Sequence, residues 1–538
     1  PTKSDLSSLS ATLVPHRSQI KVMRTVRTKI GNSSLVVPLI DTCNFLRIQD
    51  IVAASSKHGK TYYSRDSIVV SGNTENGDCG SPYVLFNPQS SYKILGVHVA
   101  GCSGVAYSQI LTQEDLEIVP QCQSYISAQL PDTKLAATSL PNTKAIGICK
   151  SAPSPTKSAI EHSPLFDLFP VCKAPAKLYD PTEDLLIKNT LKVTKPTVAL
   201  RDDLLDICAN DIMHTLNAQC SSGNAPKKVL SHEESIVGLS GYEFIGPINR
   251  HTSAGFPYSA HRDAKKPGKT TWLGSDEYIV DHPLVFDHVE EIISLARQGI
   301  IDPLLGIFQA NLKDERTSLE KASIGKTRVF AAANLGLSLA IRRYFLTYMQ
   351  HVMENRIENE IGLGTNVYSC DWDHIVARLR SVSPHVVAGD FSNFDGSLNS
   401  QILGRIAAVI SSWYADGSEN ALIREVLMEY LFNSTWLIRS SLIQLNHSQP
   451  SGNPLTTLVN CMYNMFIFRY VYLLGQEEVG AIPTLSGFRK RVACVFYGDD
   501  SIISISPEIV GWFNQHTITE GMSTTGHVYT DETKSGSP

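Results

Sequence analysis

Apolar positions follow two regimes along the chain. Through about residue 120 they come as short runs: Ser67-Ile68-Val69-Val70, Tyr83-Val84-Leu85-Phe86 and Ile94-Leu95-Gly96-Val97-His98-Val99, parted by Gly, Asn, Asp, Pro and Ser. Short runs bounded by turn residues predict antiparallel strands. From about residue 166 apolar residues recur at helical spacing, and helices are predicted over 335–357, 398–413 and 455–473. Strands are predicted among them at 386–390 and 492–496. Few strands embedded among helices predict an α+β domain. Residues 121–165 carry neither pattern; rich in Ser, Thr, Ala, Pro and Lys, they read as a junction and extended arm. The expected organisation is an all-β unit over 1–120, the junction over 121–165 and an α+β unit over 166–538.

Composition narrows this picture. A chain of 538 residues admits roughly two to four domains. With 42% hydrophobic and 18% charged residues it holds ample material for packed cores, which excludes disorder of the whole chain. The 47 basic and 52 acidic residues leave a net charge of −5, so no polybasic tail organises the molecule, although a local basic channel is compatible with that balance. No apolar run reaches the roughly 18 residues that span a membrane. Eleven cysteines without a C-x-x-C pair argue against a zinc ribbon or a thioredoxin motif, and their odd number fits reduced thiols in an intracellular setting. The start, Pro1-Thr2-Lys3, has no initiating Met and no signal pattern, so an excised piece of a longer chain is expected.

Four polar constellations carry candidate chemistry. Tyr497-Gly498-Asp499-Asp500 lies between two β runs, a hairpin signal. Adjacent carboxylates at a hairpin tip repel, and a divalent cation offsets that repulsion. Asp390-Phe391-Ser392-Asn393-Phe394-Asp395 closes a second strand, so two metals about 3.5–4 Å apart are a possible tenant of the combined acids. Ser451, Thr456 and Asn460 follow a Gly/Pro loop into an apolar helix, with Thr456 and Asn460 on one face. Residues 313–328 hold five basic and three acidic side chains; facing a metal site they form a triphosphate channel. Each constellation alone has a plainer reading: a solvated turn, a capped helix, a solvated charge run.

Taken in order, they resemble the RNA-dependent RNA polymerases of picornavirus-like positive-strand RNA viruses, the dicistrovirus type among them. Asp390-x4-Asp395 is similar to motif A, Ser451-Gly452-x3-Thr456-x3-Asn460 to motif B, and Tyr497-Gly498-Asp499-Asp500 to motif C. Residues 313–328 are similar to motif F. Thr252-Ser253-Ala254-Gly255-Phe256-Pro257-Tyr258 is similar to motif G and Thr530-Asp531-Glu532-Thr533-Lys534 to the end of motif D. The resemblance implies an α+β right hand of fingers and palm, with the thumb expected beyond Pro538. It implies that Asp390, Asp499 and Asp500 hold Mg²⁺ or Mn²⁺, and that Asp395 and Asn460 read the ribose 2′-hydroxyl. Lys313, Arg316, Lys321, Lys326 and Arg328, with Ser451 and Thr456, would bind the incoming nucleotide. Thr252, Ser253, Gly255 and Pro257 would line the template entrance, and Lys534 would protonate pyrophosphate. Implied partners are an RNA template and primer, nucleoside triphosphates and other viral replication proteins, in host cytoplasm at membrane-associated replication complexes.

The β-rich unit has its own signal. Gly77-Asp78-Cys79-Gly80-Ser81 offers a glycine-flanked turn of the kind an oxyanion hole needs. With Gly96-Val97-His98-Val99-Ala100-Gly101 it resembles picornavirus-type chymotrypsin-like cysteine proteases, whose substrates are viral polyprotein cleavage sites. The resemblance implies the all-β half of a double barrel, with Cys79 as nucleophile, Asp5 as the acid, and Thr74 and His98 lining a pocket for glutamine. Neither His16 nor His58 matches the base, which is expected before residue 1; Cys79 would then lack activation. The junction is expected within 109–145, with Gln109, Gln113, Gln121, Gln123 and Gln129 as candidate cleavage residues. Two competing readings are a cysteine protease with an accessory helical domain and a catalytically incomplete RNA-binding precursor.

Overall fold

The computed structural model describes residues 19–30, 33–55, 61–72, 81–85, 94–102, 104–111, 142–149, 157–163, 170–217 and 224–532. Asp5, His16, His58, Thr74, Cys79, Gln113, Gln121, Gln123, Gln129 and Lys534 lie outside them. Contacts divide the chain into two units, 1–130 and 131–538.

In the first unit β1 (Gln19–Ile30), β2 (Ser33–Ser55), β3 (Thr61–Ser71), β4 (Pro82–Leu85), β5 (Ile94–Cys102) and β6 (Val105–Ile110) close into a barrel in the order β1-β2-β3-β6-β5-β4. Alternation drives closure: on β6, Ala106, Ser108 and Ile110 are buried while Val105, Tyr107 and Gln109 are half-buried. The inward residues Ile20, Ile68, Val70, Tyr83, Leu85, Leu95 and Ala106 pack together as its core. Closure leaves no open sheet edge. Gln109 pairs with Ser67 on one side and Val97 on the other, so it is a ladder residue rather than an exposed cleavage residue.

The second unit has two sheets. A five-stranded one runs β11-β9-β13-β14-β7, built from β7 (Thr143–Ile148), β9 (Ile307–Leu312), β11 (Val329–Ala333), β13 (Thr435–Ile438) and β14 (Ser441–Leu445). A short pair joins β8 (Lys173–Pro175) to β10 (Arg316–Ser318). The other sheet is antiparallel, in the order β15-β16-β12-β17, from β12 (Val386–Ser392), β15 (Val492–Tyr497), β16 (Asp500–Ile505) and β17 (Val528–Asp531). The expected strands at 386–390 and 492–496 are present. The junction 121–165 was expected without regular structure, yet it supplies β7. Its exposed positions hide the strand from periodicity, and pairing with β14 creates it.

Among the helices are α1 (Asp202–Asn217), α2 (Pro283–Arg297), α3 (Leu335–Glu354), α4 (Asp371–Arg380), α5 (Ser400–Tyr414), α6 (Ser418–Phe432), α7 (Thr456–Glu478) and α8 (Gln515–Thr524). Asn334 caps α3 by accepting the Leu337 N–H at 2.8 Å, and Asn399 caps α5 through Gln401 N–H at 2.7 Å. Residues 458–473 of α7 are buried on every face, the mark of a central core helix. Leu458, Phe466 and Phe468 of α7 share one hydrophobic core with Leu339 and Phe345 of α3 and Ile406 of α5.

Candidate active site

The acidic hairpin has the shape its sequence predicts. β15 and β16 pair as far as Tyr497 and Asp500, which leaves Gly498 and Asp499 as a two-residue turn. Gly498 has φ +65, the glycine-first arrangement such a hairpin favours. β12 lies antiparallel to β16 with Gly389 opposite Ser501, so one step further Asp390 stands beside Asp500. On the other flank Asp390 pairs with Thr530 of β17. Burial pushes the Asp500 carboxyl up, and the neighbouring Asp499, Glu532 and Asp390 push it further.

Asp395 sits just past the strand, in the helical turn Phe394–Ser397, after Asn393 at φ +59. Burial raises its carboxyl, and the Asn460 side chain counters by donating to Asp395 Oδ1 at 2.8 Å. Asn460 is buried and its Oδ1 has no hydrogen-bond partner. A buried unpaired acceptor costs about 1–3 kcal/mol. The Thr456 hydroxyl is used locally, donating to Ser451 O at 3.1 Å and Asn453 O at 3.0 Å, while Ser451 is exposed. Gly452 exchanges backbone bonds with β11: its N–H donates to Ala331 O and its carbonyl accepts from Ala333 N–H, both at 2.9 Å. A Cβ there would lie 2.4 Å from Ala331 O, which is why the loop needs glycine.

The basic stretch, 313–328, connects β9 to that strand. Lys313 N–H donates to Arg328 O at 2.8 Å, and Glu315 pairs with Lys313 at 3.3 Å and Arg328 at 3.5 Å. Arg316, Lys321, Lys326 and Arg328 are exposed. The loop 252–257 is built on close backbone approach: Gly255 has φ +68, and a Cβ on it would lie 2.4 Å from Ala333 O. Leu335 N–H donates to Ala254 O at 2.9 Å, tying the loop to the start of α3. Thr252 and Ser253 are exposed, and Pro257 follows a cis peptide bond. The buried Lys269 ammonium holds Thr252, donating to its hydroxyl at 2.5 Å and its carbonyl at 3.2 Å. Burial pushes that ammonium down to about 8.

A family profile described as viral RNA-dependent RNA polymerase matches residues 178–537. The chain belongs to that family. It is 36% identical over 518 residues to the replicase polyprotein of Acute bee paralysis virus (strain Rothamsted), covering 88% of this chain and 26% of the relative. The replicase polyproteins of Drosophila C virus (strain EB) and Cricket paralysis virus (isolate Teleogryllus commodus/Australia/CrPVVIC/1968) are 35% and 34% identical; each match covers 89% of this chain and 29% of the relative. The chain thus spans 26–29% of the length of these curated relatives. A solved structure titled Sicinivirus 3Dpol RNA dependent RNA polymerase superposes with a TM-score of 0.59 at 18% identity, covering 72% of this chain and 76% of that one. That likeness shows the right-hand polymerase fold.

Within this polymerase fold, acids far apart in sequence meet at one sheet end, and Asn460 joins Asp395. The donors at the sheet end are all hard carboxylate oxygens, and their mutual repulsion is what a bound Mg²⁺ or Mn²⁺ would offset, so the donor chemistry fits. Among the described residues no three side chains form a ready-made metal cage. Two further charged residues act on these acids: Glu532, inside the motif D stretch but given no role by it, and Lys192, outside every motif. Glu532 bears on Asp500 from the end of β17. Lys192 is half-buried; burial pushes its ammonium down, and Arg328, Asp395 and Lys326 act on it. Lys192 sits in a lysine-bearing stretch 188–195 with no local pattern to single it out. In the first unit His98 is buried, with Nδ1 3.0 Å from the Tyr83 hydroxyl.

Proposed function

We propose that this chain catalyses template-directed RNA synthesis. The primer 3′-hydroxyl oxygen attacks the α-phosphorus of a nucleoside triphosphate; the bond to the bridging oxygen breaks and pyrophosphate leaves, while the hydroxyl proton passes to solvent or base. Bound Mg²⁺ or Mn²⁺ supplies charge neutralisation and an acidified hydroxyl. Asp390, Asp499 and Asp500 would hold the ions. Arg328, Lys313, Lys321, Lys326, Arg316 and Lys192 orient the triphosphate, and Lys534 gives a proton to departing pyrophosphate. The loop 252–257 guides the template strand. The observation that carries the reading is the Asn460–Asp395 pair beside the acidic sheet end, because its unsatisfied Asn460 Oδ1 can accept the ribose 2′-hydroxyl. In primed synthesis by the replicase product that carries this chain, Asp499→Ala should reduce incorporation to background; a normal rate would overturn the metal role. Asn460→Ala should narrow the preference for ribo- over deoxyribonucleotides, and an unchanged ratio would remove Asn460 from sugar selection.

The first unit supports a second reading, part of a chymotrypsin-like cysteine protease that cuts viral polyprotein sites. A closed six-stranded barrel suits that fold, and the Tyr83 hydroxyl fixes the ring of His98 as a glutamine-reading imidazole requires. Cys79, Asp5 and Thr74 would complete the site. Cleavage of a glutamine-containing peptide by the replicase product should vanish in Cys79→Ala.

A further inference from the structure

The tip of the acidic hairpin is held from below by α7. Both backbone groups of Gly498 bond to side chains of that helix. Its N–H donates to Cys461 Sγ at 3.1 Å, and its carbonyl accepts from Asn464 Nδ2 at 2.8 Å. The Cys461 thiol in turn donates to Phe496 O at 3.5 Å, so one sulfur spans the bend from the end of β15 to the turn. Thr457 completes the stripe, its Cγ2 lying 3.8 Å from where a Gly498 Cβ would stand. Positions 457, 461 and 464 fall on one face of a helix. All three bonds are buried: Cys461 and Asn464 are both 0% exposed.

The consequence is geometric. A trans peptide points its C=O and N–H in opposite directions. With the Gly498 carbonyl aimed into α7, the Asp499 N–H must point away from the helix. The peptide plane before Asp499 is therefore fixed, and the pairing of Asp500 with Tyr497 holds the chain after it, so the two together limit the Cα–Cβ direction of Asp499. The hydrogen bonds of Cys461 and Asn464 described above go to backbone atoms of Phe496 and Gly498, not to the carboxylates. The same helix carries Asn460, four residues before Asn464, so the sugar-facing pair and the acidic turn share one rigid support.

We propose that Cys461 and Asn464 are positioning residues: they clamp the Gly498 peptide and so set the Asp499 carboxylate for the divalent ion. This rests on the metal reading above. Outer residues that orient ligands typically cost about 10–100-fold in metal affinity when removed. The test is Mn²⁺ binding to the 538-residue chain without RNA, followed by the free-ion electron paramagnetic resonance signal, with melting temperature measured alongside. Cys461→Ala and Asn464→Ala should each weaken Mn²⁺ binding about tenfold. Cys461→Ser, whose hydroxyl can accept from Gly498 and donate to Phe496, should recover most of the loss. Cys208→Ala, at an equally buried cysteine on α1, should lower the melting temperature without changing Mn²⁺ binding. If Cys461→Ala and Asn464→Ala bind like the parent while Asp499→Asn loses the ion, the positioning role is wrong and the metal reading stands. If Cys208→Ala weakens binding as much as Cys461→Ala, the effect is general destabilisation and the role is again wrong. If Asp499→Asn also binds like the parent, the metal reading itself fails and the positioning role falls with it.

Discussion

His527 is buried at the foot of β17, with Nε2 3.0 Å from the Tyr463 hydroxyl of α7 and Nδ1 2.9 Å from the Thr525 hydroxyl. Burial pushes its pKa from 6.5 down to about 4. Between those values the unfolded chain binds the proton more readily than the folded one, so stability rises with pH and is lost as pH falls from 6.5 to 4. A depression of that size corresponds to about 3 kcal/mol. Urea midpoints of His527→Gln should therefore fall less steeply over this window than those of the parent; equal slopes would show that His527 does not drive the loss. Gly452 gives a second residue-level test. Its replacement by Ala forces a Cβ against Ala331 O and lifts the motif B loop off β11. A displacement of about 1 Å near a reacting centre can cost about 100-fold, so Gly452→Ala should lower primed RNA synthesis by that order, and full activity would contradict it. Gly452 was legible in the sequence as a motif letter, but its reason was not: the oxygen it avoids belongs to a strand more than a hundred residues earlier.

At the scale of elements, α7 organises the palm through more than its polar tip. Arg469, fully buried, pairs with Asp211 of α1 at 2.7 Å and with Glu360 at 2.8 Å. Glu360, also fully buried at φ +74, gives its backbone carbonyl to Phe496 N–H at 2.8 Å. Burial alone would raise the Glu360 carboxyl; Arg469, with Arg489 and Arg378, holds it below its usual range. One ion cluster thus joins α1, α7 and the outer edge of β15. Removing one partner of such a pair leaves an uncompensated charge and costs about 3–5 kcal/mol. Arg469→Met should lower the unfolding free energy by that amount in urea, and an unchanged value would mean the pair adds nothing to stability. The helix itself was legible, predicted over 455–473 and found over Thr456–Glu478. Its ion partners were not, because Asp211 and Glu360 lie in segments with no motif spacing to connect them to Arg469.

At the scale of the whole molecule, the second unit begins earlier than composition suggests. β7 pairs along Thr143–Ile148 with β14, and Cys149 is buried beside Leu437 and Leu442. A chain starting at residue 150 should therefore melt well below one starting at residue 131, and equal melting temperatures would show that β7 is dispensable. What the amino-acid order determined by itself was local: the short β runs of the barrel, the three long helices, the two acidic strands, the hairpin turn and the polymerase motifs in their sequence. Each depends on neighbours within a few residues, where periodicity and turn chemistry act. Strands β9, β13 and β14 are almost wholly buried, so they carry no alternation to read; pairing alone defines them. The meeting of Asp390 with Asp500, the Asn460–Asp395 bond, the approach of Lys192 and Glu532, and the grip of Cys461 and Asn464 on Gly498 were likewise decided only by tertiary structure. These contacts span tens to hundreds of residues, and chain topology, not local spacing, sets which side chains share a site.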